Sequence, residues 1–240
     1  MSPSPGVGTH PDLPDTLVHF TGRPRSEKDV PPDFARGSAE DRMVSVLRGG
    51  VLRGTKVFGS DLPVICFSEA SEAARRVMLR DGVVERRGPY APWGLALDRE
   101  ALIDAGVRPV LHLSGEEMRL TQGLPSRLRN RRVRYDPGSS DWLHEREWRL
   151  CFDADETPEL ALTPELVVGV VVGIRGWLPP GEVTPLPLKG LGTATLTRYA
   201  APAHKLARWW WDGEDLVPDG EFDIEEQLRM EATFYEPFTF

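Results

Sequence analysis

A chain of 240 residues, 40% hydrophobic and 28% charged, has the balance of an ordinary globular protein and the length for one large domain, alone or with a small appendage. Its formal charge of -8 argues against scanning nucleic acid by overall charge, and its 29 bases are 25 Arg and only four Lys. The longest apolar run, nine residues from Leu166 to Ile174, falls far short of the ~18 residues of a membrane span, and Cys66 and Cys151 lack the CxxC spacing of a zinc knuckle or disulfide scaffold.

The opening residues carry neither a basic start nor an apolar stretch, so a cytoplasmic protein with no membrane contact and two buried thiols is the expectation. Residues 1–14 read as a flexible tail, residues 15–210 as a single α+β domain that holds the site, and residues 211–240 as an acidic C-terminal segment packed on it. Asp15 to Thr21 predicts the first strand, followed by a loop rich in proline and charge up to Gly37. Ser38, with Asp41 three residues on, caps a helix through Met43, Val44 and Leu47 that Gly49-Gly50 stops. Val51 to Val57 and Leu62 to Phe67 predict short strands, and Ser71 to Leu79 a second helix. Further on come a strand at Trp93 to Leu97, a short helix at Arg99 to Ala105 and a strand at Val110 to Leu113. Gly115 to Leu128 predicts a broken helix, Trp142 to Phe152 and Leu166 to Ile174 two strands, and Glu225 to Ala232 a last helix. The mixture lacks a regular βαβ period, which favours α+β over a doubly wound sheet, and no GxGxxG or GxxxxGK element is present.

LHEREWRL, ending at Leu150, carries the densest chemistry. As a strand it places Glu145, Glu147 and Arg149 on one face and His144, Arg146 and Trp148 on the other. Two carboxylates so close repel, unless Arg149 or a ligand relieves them, and such pairs occur where a developing cation is stabilised or a proton is handled. The competing interpretation is an exposed edge strand of alternating charge. In the first strand, His19 and Thr21 share a face and form a hydrogen-bonding shelf for a sugar or nucleotide, although a lone strand histidine is more often a satisfied core residue. VICFSEA runs into a polar turn, so Ser68 and Glu69 stand at a strand end, where binding groups gather; helix capping by Ser68 or Ser71 explains the same residues. Tyr90 and Trp93 lie at the mouth of another strand, placed to stack on a flat ring or simply to pack.

In this order the segments LVHFTG, VLRGGVL, LPVICFSEA, YAPWGLALDREAL, GVRPVLHL and DWLHEREWRL resemble the abortive-infection phage-resistance proteins of the AbiGi type, over roughly residues 16–152. The pattern is also similar to His-type ADP-ribosyltransferases, including toxins that modify DNA or RNA. That resemblance implies a split mixed β-sheet flanked by short helices and NAD as the substrate cofactor. It implies Glu147 as the main catalytic carboxylate with Glu145 beside it, and His19, Thr21, Ser68, Tyr90 and Arg149 as cofactor-binding residues. Cys66 stands where such enzymes carry an aromatic residue, and Tyr90 takes the stacking role. Arg75 and Arg76 are further candidates for the pyrophosphate, since guanidinium suits phosphate oxygens.

SRLRNRRVR holds Arg127, Arg129, Arg131, Arg132 and Arg134 with no acid, just before the glutamate strand. The expectation is a groove for a DNA or RNA acceptor; the alternatives are a solvated loop or a cover supplied by residues 212–226, which hold eight acids and no base. The resulting expectation is an NAD-consuming ADP-ribosyltransferase-like effector of phage defence or toxin action, modifying nucleic acid or protein, with no resident metal. The alternatives are a metal-dependent nuclease built on Glu145, Glu147 and Asp141, and a non-catalytic phage sensor of the same fold.

Overall fold

The first strand sets the frame. In the computed structural model, which describes residues 14–22, 37–81, 89–139, 141, 143–179, 185–186, 194–195 and 205–223, β1 spans Thr16–Phe20 and ends beside helix α1, Ala39–Gly49. The expected cap is present: Ser38 Oγ accepts from the Asp41 amide at 3.1 Å and Asp41 Oδ2 accepts from the Ser38 amide at 2.8 Å. Such a box contributes about 1 kcal/mol. Gly50 stops the helix at φ 63°, a left-handed turn that glycine adopts without a Cβ clash. Then follow β2 (Val51–Arg53), β3 (Val64–Ser68), α2 (Glu72–Arg80), β4 (Gly94–Asp98), α3 (Arg99–Asp104), β5 (Arg108–Pro109) and β6 (Leu111–Leu113). The expected broken helix is two short ones, α4 (Gly115–Leu120) and α5 (Ser126–Arg129), and the arginine run continues into β7 (Arg132–Arg134). The remaining elements are β8 (Glu147–Cys151), β9 (Glu159–Ala161), β10 (Val167–Val172), the two-residue strands β11 (Pro185–Leu186) and β12 (Ala194–Thr195), β13 (Lys205–Trp211) and β14 (Leu216–Asp223).

Eight strands form one sheet in the order β14-β13-β10-β4-β1-β3-β8-β5, parallel only between β10 and β13. The chain is therefore α+β with a large mixed sheet and few short helices. The nearly all-valine strand β10 sits between β4 and β13, as its continuous apolar run requires. On one face Leu17, Leu95, Leu97, Val170 and Val172 join Met43 and Leu47 of α1 and Leu102 of α3 in the core. The alternating residues Val18, Ala96 and Val171 present the other face, over which α2 runs.

One expectation changes, and others fall outside the described residues. The boundary drawn at residue 211 falls at the end of β13, and residues 216–223 are the edge strand of the main sheet rather than a segment packed on it. The expected tail up to residue 13, most of the loop after Gly22 and the helix over 225–232 lie outside the described residues.

Candidate active site in the split between two strands

β1 and β3 share one registered pair, Val18 with Ser68. Past it a cavity of about 190 Å³ opens between them, with His19 and Phe20 on one side, Cys66 and Ser68 on the other, and Tyr90, Glu145 and Glu147 around it. Residues far apart in the chain thus converge because β1 and β8 flank the same strand, β3.

His19 bridges the split. Its Nδ1 lies 2.9 Å from the Cys66 carbonyl oxygen; since a carbonyl only accepts, Nδ1 carries the proton and Nε2 is left as an acceptor. Burial pulls the imidazole below its ordinary pKa, against the opposing effect of that hydrogen bond, so the ring is neutral at physiological pH. The sign of the linkage follows: unfolding lets His19 take up a proton, so its contribution to stability is complete above the unfolded value of about 6.5 and is lost as pH falls toward the lower folded value. We expect the melting temperature to fall between pH 7 and 5, and to fall less in His19→Asn, measured by thermal melts across that range. An unchanged slope would contradict the buried neutral state.

The two glutamates reach the cavity by a route the strand pattern did not show. The expected strand from Trp142 to Phe152 is shorter: Leu143–Glu145 is a single 3-10 turn, Arg146 has φ 42°, and β8 begins at Glu147. Glu145 and Glu147 therefore share a cavity across a kink, not along one strand face. The turn starts where Asp141 Oδ1 accepts from the Leu143 amide at 3.1 Å. Glu69 holds the kink, since its amide donates to the Arg146 carbonyl at 3.2 Å and its carboxylate lies 3.3 Å from the Arg146 guanidinium. The same carboxylate accepts from Trp148 Nε1 at 3.2 Å.

Each cavity residue has a defined support. Ser68 Oγ donates to the Glu145 carbonyl at 2.7 Å. Tyr90 donates its hydroxyl to Glu145 Oε1 at 3.1 Å while its ring packs on Phe20, with centroids 5.1 Å apart. Glu147 stands opposite Ser68 in the β3–β8 register. Arg149 grips it as a two-pronged fork, Nε to Oε1 at 2.8 Å and Nη2 to Oε2 at 3.1 Å, and donates Nη1 to the Asn130 carbonyl at 2.8 Å. The Cys66 thiol faces this pair; burial first, and then the Glu147 charge, push its pKa well above the usual thiol value, and burial pushes Cys151 up to about 11. Neither cysteine is disulfide-bonded.

Several expected ligand contacts lie elsewhere. Thr21 is buried with its hydroxyl on the carbonyls of Ala39 at 2.6 Å and Trp93 at 3.1 Å, so it ties β1 to α1 and to the start of β4. Arg149 is 4% exposed and lies beneath Glu147, not in the cavity, which places it as a support rather than a pyrophosphate contact. Arg75 and Arg76 line a different cavity on the α2 side of the sheet.

The arginine run does not form one exposed groove. Arg132 is 4% exposed and donates to the Arg129 and Met118 carbonyls and to Thr121 Oγ1. Arg127 pairs with Asp153 and Glu156, Arg129 with Asp61, and Arg134 with Asp136, while Arg131 donates to the Pro109 carbonyl. Among the described residues the offsetting acids are thus Asp61, Asp136, Asp153 and Glu156, and none comes from residues 212–223. Arg132→Ala should lower stability by about 2–3 kcal/mol, because three partly buried acceptors lose a buried charged donor, as chemical denaturation will read.

Asn130 went unsuspected in the sequence. It is fully buried; its Oδ1 accepts from the Asp61 and Leu62 amides at 2.7 and 3.3 Å, and its carbonyl holds Arg149. Its partners lie far along the chain, so no local pattern marks it. Among the described residues no group of three or more His, Cys, Asp or Glu side chains is arranged to hold a metal ion, and no helix is long and apolar enough to cross a membrane. Compared with known proteins, the chain matches no family model, no curated protein and no solved structure.

Proposed function

We propose that the protein is an NAD-consuming ADP-ribosyltransferase-like enzyme, and that the cleft between β1 and β3 is the split of such a fold. The observation that carries this reading is the meeting of His19, Tyr90, Glu145 and Glu147 in one cavity that opens where β1 and β3 part. At about 190 Å³ the enclosed part is smaller than the ~300–1,000 Å³ of typical ligand sites, so it takes the nicotinamide–ribose end, and the rest of the dinucleotide extends outside.

The chemistry follows from the charges. The bond from nicotinamide nitrogen to ribose carbon breaks, nicotinamide leaves with the electron pair, and positive charge grows on the sugar as in glycoside cleavage. Glu147 accepts a hydrogen bond from the ribose 2′-hydroxyl that strengthens as the charge develops, which favours the transition state over bound substrate. The Arg149 fork uses one lone pair of each Glu147 oxygen and the Cys66 thiol hydrogen-bonds the same carboxylate, which fixes it and still leaves it acceptor capacity for a substrate hydroxyl. Tyr90, held against Phe20, stacks on the nicotinamide ring. Neutral His19 offers Nε2 to a ribose hydroxyl. Glu145 takes the proton of the incoming nucleophile, on a nucleic acid or a protein, as the new bond to the sugar forms. The biological setting in keeping with this chemistry is a cytoplasmic effector of phage defence or toxin action.

The two glutamates are separable. Glu145→Gln should retain slow nicotinamide release, with water as acceptor, and lose transfer to the acceptor by about 10²-fold, the range of general-base catalysis. Radiolabelled NAD with DNA, RNA or lysate, scored for free nicotinamide and for labelled polymer, checks this. Equal loss of both products would remove the division of labour.

A further inference from the structure

A second cavity of about 350 Å³ lies on the α2 side of the sheet and shares only Val18 with the first among their lining residues. Val18, Ala96 and Val171 form its apolar floor. Trp209 and Trp211, two residues apart on β13 and so on the same face, form one wall, and Arg75 and Arg76 of α2 contribute to another. Trp210 points away and packs on the core, which separates the three consecutive indoles by role.

Three features make this a built space. Gly169 interrupts the valine strand β10 at the spot where β13 lies against it: a Cβ there would meet the Ala207 carbonyl oxygen and, at 2.5 Å, Trp209 Cζ3. Glycine weakens a strand interior, and here it leaves room for the indole. Arg76 is held by its Nη2, on Glu72 Oε1 at 2.6 Å and on Asp215 Oδ2 at 2.5 Å, a clasp from α2 to the turn between β13 and β14. Arg75 is different. Its Nε is buried and has no hydrogen-bond acceptor among the described residues. Burial pulls its guanidinium below the ordinary value, with the charges of Glu72 and Asp215 acting against that pull. A buried donor left unmade is costly, and Arg75 lines the cavity, where the other N–H groups of its guanidinium can donate to an incoming anionic group.

We propose that this cavity binds a planar aromatic anion, with its ring against Trp209 and Trp211 and its negative group on Arg75. Indole faces take flat rings by stacking, the guanidinium takes a phosphate or carboxylate, and the volume lies within the usual range for small ligands. The site lies beyond the NAD cleft and does not depend on NAD chemistry.

Isothermal titration calorimetry of the full chain tests it, with adenosine 5′-monophosphate and indole-3-acetate as ring-bearing anions and with adenosine and inorganic phosphate as the two halves. Saturable binding of either ring-bearing anion is expected, the two arms distinguishing phosphate from carboxylate. Adenosine and inorganic phosphate should bind at least about tenfold more weakly, the worth of one lost charged or stacking contact. Arg75→Gln and Trp211→Leu should each weaken the ring-bearing anion by roughly the same factor, while Arg75→Gln leaves nicotinamide release from NAD unchanged. Absence of binding by both anions, equal binding by inorganic phosphate alone, or binding that survives both substitutions would overturn the proposal.

Discussion

Under the proposed function, Glu147→Gln is expected to abolish most nicotinamide release: kcat should fall by about 10²–10³-fold, the cost of deleting one electrostatic group that acts on developing charge, while KM for NAD should move little. The split between the two parameters is diagnostic. Glutamine keeps the shape and still accepts a hydrogen bond, so bound substrate is held almost as before; what it lacks is the full charge that the sugar meets only in the transition state. The protein remains folded. Its stability falls, because the glutamine amide nitrogen now faces one prong of the buried Arg149 fork, so the assay is run well below the variant's melting temperature. A variant with wild-type kcat would remove Glu147 from the chemistry.

Arg149→Met has the largest expected effect on stability, a loss of about 3–5 kcal/mol, as for removing one partner of a buried ion pair. The loss has two sources. The Glu147 side chain, 12% exposed, loses its cationic partner, and the Asn130 carbonyl loses its donor. Urea unfolding reads this as a lower midpoint at similar slope. The double variant Arg149→Met/Glu147→Gln should recover part of the loss, since the unpaired charge is gone; strictly additive losses would show that the two side chains do not act as a pair.

The order of short segments anticipated which residues meet in the folded chain better than the strand pattern did. His19, Ser68, Tyr90, Glu145 and Glu147 were all singled out from sequence, and all line one cavity. Reading LHEREWRL as one strand missed the kink at Arg146, because alternation cannot register a positive φ that a distant glutamate, Glu69, holds in place. Thr21 and Arg149 shared a predicted face with residues of the cavity, and burial keeps them out of its lining: strand periodicity says which side a residue faces, not how much protein covers it. The arginine run misled for the opposite reason. Its acids, Asp61, Asp153 and Glu156, come from elsewhere in the chain and from after the strand, so the local charge looked unpaired when the folded charge is not. The α+β class was legible from the irregular order of short elements, whereas the parallel pairing of β10 with β13 arises from a long connection that no local signal specifies.

Under the proposed function this cleft breaks the nicotinamide–ribose bond. Incubating the purified protein with NAD and separating the products by liquid chromatography with mass detection, alongside Glu147→Gln, tests this. Free nicotinamide is expected from the wild-type protein, with ADP-ribose in water or on an added nucleic-acid or protein acceptor, and about 10²–10³-fold less from the variant. NAD recovered intact from the wild-type protein with every acceptor class, or nicotinamide released equally by both proteins, would contradict it.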